Sequence, residues 1–151
     1  MNRYYVWTVW FVTDLCLAAG LTYWPDMLYI TMLVVALHSL HFYSVTPKVW
    51  SFPMQVRIIY FAFLVLGQHP YLRWINWIQL AGTTALITVD YCPLARMLSL
   101  IPWNRTRTLN WKFIKAAVFS RPVYGSIIDA VSPELVSKLH PERNYANQPQ
   151  L

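Results

Sequence analysis

The sequence predicts an all-α membrane protein: a four-transmembrane-helix bundle followed by a C-terminal cytoplasmic amphipathic helix. Three observations carry this expectation. Of 151 residues, 57% are hydrophobic and only 12% charged, about half the charged share of an ordinary soluble domain. Apolar runs of near-span length fill the first two thirds of the chain, with aromatic residues crowding their ends, as interfacial belts do. The basic residues collect behind the last run, eight of the twelve Lys and Arg lying from Arg96 onward. Each crossing consumes about 20 residues, so no separate globular domain fits before that tail.

The first span is expected at 4–24, introduced by Arg3 and closed by Pro25-Asp26, with Tyr4, Tyr5, Trp7, Tyr23 and Trp24 at its ends. A cleaved signal peptide would place a charge before an apolar stretch and small residues after it, but Asp14 interrupts the stretch here. The second span is expected at 27–45, ended by Thr46-Pro47-Lys48, and it acquires His38 and His41 late in its course. The third is expected at 55–72. Gly67-Gln68-His69-Pro70 shortens its apolar part to about a dozen residues, a length that also suits a re-entrant segment. The fourth, at 74–92, contains Ala81-Gly82-Thr83-Thr84-Ala85, small residues that let helices approach closely. Pro93 ends or kinks it.

Orientation follows from the charges of the short loops. Arg3, the loop with Lys48 and Arg57, and everything after Arg96 fall on one side, and Arg73 alone on the other. Both termini are therefore expected in the cytoplasm, as in a multi-pass protein of a bacterial inner membrane. Asn104-Arg105-Thr106 matches a glycosylation sequon but would face the wrong compartment. The domain plan is thus a bundle over 1–95, basic interfacial helices over 96–140 and a disordered tail over 141–151.

In the tail, Leu109, Phe113, Ile114, Ala117 and Val118 recur at helical spacing while Lys112 and Lys115 point elsewhere. This predicts a basic amphipathic helix from Thr108 to about Ser120 on a membrane surface or a partner. Arg105, Arg107, Trp111, Lys112 and Lys115 are its candidate docking residues, and anionic lipid headgroups its expected partner. Ser132-Pro133-Glu134 then resembles an N-cap followed by proline at the first helical position. A net charge of +6 suggests nucleic acid only until its distribution is seen; no recognised nucleic-acid module is present.

The chemistry-bearing candidates lie within the apolar runs. Asp14, His38, His41 and Asp90 are ionisable groups that cost roughly 2.5 to 3.5 kcal/mol at a helix centre, and all four fall in the half facing the basic side. The rise of 1.5 Å per residue puts Asp14 at roughly 15 Å from that end, His38 at roughly 10 Å, and His41 and Asp90 at roughly 5 Å. His38 and His41 share one helical face with Thr31. Asn76, Gln79, Thr83 and Asp90 make a polar stripe on the fourth span.

A structural role would pair Asp14 with His38, and Asp90 with His41 or Arg96, satisfying buried groups and holding helix register. A functional role would use the same four residues as a mixed nitrogen and oxygen shell for a transition metal, or to move protons. An H-x-x-H pair is a common spacing, and His69 and His140 lie elsewhere, which argues against haem held by two histidines at one depth. There is no phosphate-cradling glycine loop among four Gly, no local nucleophile motif, and no Cys-x-x-Cys pair. Cys16 and Cys92 fall at different depths, which disfavours a disulfide. The expected function is therefore that of a small accessory or assembly subunit of a larger membrane complex, without catalytic activity of its own. The alternative is an intramembrane metal or proton site at Asp14, His38, His41 and Asp90.

Overall fold

The structure, a computed structural model, describes residues 3–104 and 111–119, and among them all regular structure is helical. Four helices lie in the first compact unit, Met1–Leu94: α1 (Arg3–Thr22), α2 (Met27–Val45), α3 (Phe52–Leu66) and α4 (Trp74–Val89). A 3₁₀ turn, Pro70–Leu72, precedes α4, and α5 (Pro93–Ser99) follows it. In the second unit, Ala95–Leu151, α6 covers Trp111–Phe119.

The bundle closes as a ring in which α1 packs on α2 and α4, and α3 on α2 and α4. Short loops make neighbours antiparallel, and the contacts run accordingly. Gly20 meets Leu28 while Tyr5 reaches His41, and Gly67 meets Asn76 while Tyr60 reaches Thr83.

Each helix commits one narrow stripe to the interior. Trp10, Thr13, Leu17 and Gly20 do so on α1, Leu28, Thr31, Val35 and His38 on α2, Met54, Arg57, Tyr60 and Leu64 on α3, and Asn76, Gln79 and Thr83 on α4. Spacings of three and four residues are those of a bundle seam. Trp10, Leu17, Leu28, Val35, Tyr60 and Leu64 form the apolar core. Polar residues share that interior, while Leu15, Leu33, Leu37, Leu40 and Ile78 stand exposed. The distribution is inverted relative to a soluble bundle.

Two helices, from Tyr4 to Thr22 and from Met27 to Val45, are long and apolar enough to cross a membrane. Only 22% of either apolar window is buried, whereas an all-round apolar core helix of a soluble protein would be enclosed. The third segment starts three residues earlier than expected and ends six earlier. Pro53 stands in its first turn, where a missing N–H costs nothing, and Gly67 caps its end. At 15 residues it is about 22 Å long. The fourth stops at Val89 because Asp90 adopts the left-handed conformation, φ 52° and ψ 31°, which a short polar side chain tolerates. Asp90 therefore leaves the polar stripe that spacing alone assigned to it.

Gly67 itself has ordinary right-handed angles, φ −70° and ψ −6°, so its smallness serves close approach. A Cβ there would overlap the amide of Asn76, whose Nδ2 donates to the Gly67 carbonyl at 3.1 Å. Gly67→Ala is expected to lower stability by about 1 to 3 kcal/mol through overpacking. Gly82→Ala, whose Cβ would lie 3.6 Å from the Pro93 ring, should be neutral or stabilising by about 0.5 to 1 kcal/mol. Thermal unfolding of both variants in detergent checks the opposite signs.

Candidate functional site

The interior polar groups form two neighbourhoods, and the first is the α3–α4 seam. Gln79 Nε2 donates to the Tyr60 carbonyl at 2.9 Å, and the Tyr60 and Thr83 hydroxyls lie 2.9 Å apart. Thr83 also donates back to the Gln79 carbonyl at 2.8 Å. With Asn76 on the Gly67 carbonyl, α4 thus clasps α3 at three successive turns. These bonds fix α4 against α3 through polar contacts at a buried seam. The acceptor oxygens of Asn76 and Gln79 remain buried without a partner.

The second neighbourhood lies nearer the end where α1 and α3 begin. His38 is 4% exposed and neither ring nitrogen has a hydrogen-bond partner. Its ring is bordered by Tyr5 at 5.8 Å and Trp10 at 6.1 Å between centroids, and Trp10 in turn meets Tyr60 edge-on at 5.1 Å. Arg57 is 6% exposed. Its guanidinium sits 4.1 Å above the Phe42 ring and donates through Nη1 to the Pro53 carbonyl at 2.8 Å, leaving Nε unpartnered. The groups acting electrostatically on His38 are two further bases, Arg57 and His41, and the one acting on Arg57 is Tyr5. Among the described residues this is a buried basic and aromatic cluster without a carboxylate.

The sequence-predicted residues divide differently from expectation. His38 and His41 do share a face, both rings touching Tyr5, with His38 inside and His41 exposed. Asp14 does not pair with His38. It sits half-buried on the α1–α4 seam, where the Thr84 hydroxyl lies 3.2 Å from each carboxylate oxygen, and Trp7 Nε1 bonds the Ile87 carbonyl along the same seam at 3.2 Å. Asp90 caps α4. Among the described residues no three His, Cys, Asp or Glu gather as metal ligands do, and Cys16 and Cys92 form no disulfide.

In the tail, Trp111 is exposed at the start of α6, and Lys115 stands one turn on with its ammonium 5.7 Å from the indole centroid. Arg105 and Arg107 lie outside the described residues, as do the side chain of Lys112 and the expected helix after Ser132.

Arg57 is the residue that sequence reasoning misplaced, having been counted with Lys48 as a loop charge. The signal was present: Pro53 is well suited to a helix's first turn, and Met54, Arg57, Tyr60 and Leu64 fall at seam spacing. No family model matches the chain, and no curated protein or solved structure does either.

A buried imidazole with both nitrogens unpartnered destabilises, because the lost hydration is uncompensated. His38→Phe keeps a ring against Tyr5 and Trp10 while removing the unpartnered atoms. It is expected to raise stability by about 1 to 3 kcal/mol, measured as the thermal midpoint in a zwitterionic detergent.

Proposed function

We propose that the chain is a multi-pass integral membrane protein in which α1 to α4 all cross the bilayer, acting as an accessory or assembly subunit of a larger membrane complex. Support for the membrane setting comes from the inverted distribution, with Thr13, Thr31, His38, Arg57, Asn76, Gln79 and Thr83 inside and large aliphatic residues outside. For a partner, the carrying observation is Asp14. Among the described residues a carboxylate near the middle of α1 is met by one hydroxyl, Thr84, which cannot donate to both oxygens at once and also lies 2.9 Å from the Leu80 carbonyl. An ionisable group at such depth requires stronger partners than that. The half-buried seam, with exposed Ala81 one turn before Thr84, suits a helix from another subunit that brings a donor or a cation.

The charge count places the ends bearing Arg3, Lys48 and the tail in the cytoplasm, as in a bacterial inner membrane. On α6, exposed Trp111 and Phe119 flank Lys115, an arrangement suited to anionic headgroups or a partner's surface. The metal reading of Asp14, His38, His41 and Asp90 gains no support from their placement, since Asp14 and the histidines belong to different seams.

Purification from native membranes in mild detergent is expected to recover stoichiometric membrane partners. Asp14→Leu should weaken their recovery by roughly tenfold or more, the loss of about 1.4 kcal/mol or more of binding. A clean, stable monomer from the wild-type membrane, with no partner after crosslinking, would overturn the proposal.

A further inference from the structure

The cluster around His38 and Arg57 has a composition that neither packing nor the accessory role explains. Both residues are more than nine-tenths buried, and between them they leave three nitrogens without partners: both of His38 and Nε of Arg57. Arg57 keeps its charge at any physiological pH, yet among the described residues it meets the Pro53 carbonyl and the Phe42 ring and no carboxylate. A cation enclosed this way needs a counter-charge or it is strongly destabilising. The acids of the bundle lie elsewhere, Asp14 against Thr84, Asp26 at the start of α2 and Asp90 at the end of α4.

We infer that the His38 and Arg57 cluster binds one anionic phosphate group. Guanidinium donors fit the oxygens of a phosphate, which accepts several charge-assisted bonds at once. The imidazole belongs to a different helix, α2, so a phosphate taken by both would bridge α2 and α3. His41 is exposed and Tyr5 only partly buried, and both rings touch that of His38 or each other, so the cluster reaches the surface between α1 and α2.

Counted from the ends of α2 and α3, His38 and Arg57 lie at roughly 10 Å and 7 Å. In a protein that spans the bilayer, this is the boundary between headgroups and acyl chains, where basic pockets between spans take phospholipid headgroups. That placement rests on the membrane reading, whereas the fit to phosphate does not. Two sources share that chemistry, an anionic lipid headgroup and free phosphate, and the test separates them.

The test uses the full chain in a neutral maltoside detergent, with native mass spectrometry against phosphatidylglycerol and phosphatidylcholine and calorimetry against inorganic phosphate. Phosphatidylglycerol is expected to bind at least tenfold more tightly than phosphatidylcholine, and Arg57→Gln to remove that preference. His38→Gln should reduce it several-fold. Inorganic phosphate that binds and competes with the lipid identifies free phosphate as a sufficient ligand; phosphate that does neither assigns the site to lipid.

If Arg57→Gln fails to fold by circular dichroism, His38→Gln and Arg57→Lys carry the comparison. The inference is overturned if the wild type shows neither anionic preference nor phosphate binding. It is equally overturned if the folded variants keep the full preference, which would place lipid binding on the basic tail. Carbonate extraction of the same protein reports separately on membrane integration: release from the membrane would sink the spanning reading while phosphate calorimetry still judged the cluster.

Discussion

The hydrogen bonds that join Asn76, Gln79 and Thr83 to α3 and its cap set the geometry on which the rest of the bundle depends. Two of their targets, the carbonyls of Gly67 and Tyr60, belong to the backbone, so they fix the height and rotation of α4 against α3. Once α3 is held, its seam face carries Tyr60 toward Trp10 and Arg57 toward Phe42. In surroundings without a strong hydrophobic drive between helices, such polar contacts and close packing at small residues are the interactions left to specify a seam.

The same seam accounts for the asymmetry of the interior. Around Asn76, Gln79 and Thr83 the donors have acceptors and the strand of bonds is nearly complete. Around His38 and Arg57 the donors exceed the acceptors, and aromatic rings stand where a carboxylate would neutralise them. Stability alone would favour apolar residues of similar volume at such positions. A buried cation and imidazole with unpartnered nitrogens, beside a seam whose side-chain donors all find acceptors, turn attention from packing to ligand.

Asp14 presents the converse case on the seam between α1 and α4. It is an acceptor with too few donors, on a seam that is half open to the outside. The two mismatches lie on different surfaces and carry opposite charge, so they do not cancel within the chain. The bundle is internally closed as a ring of four helices, yet electrostatically incomplete at two places, and its proposed lipid and subunit contacts correspond to those places.

The helical class and the limits of α2 were legible in the sequence, because Pro25-Asp26 and Thr46-Pro47 bracket a run whose apolar character needs no partner to be recognised. The buried stripe of α4 was legible through Asn76, Gln79 and Thr83, since side chains three and four residues apart share a face whatever they touch. What they touch was decided only in three dimensions. The pairing of Asp14 with Thr84, the enclosure of Arg57 and the departure of Asp90 from its helix depend on rotations and heights that short-range periodicity does not contain. Composition and spacing determine which faces seek an interior; the mutual placement of those faces, through a few directional bonds between helices, decides which charges meet and which are left without a partner.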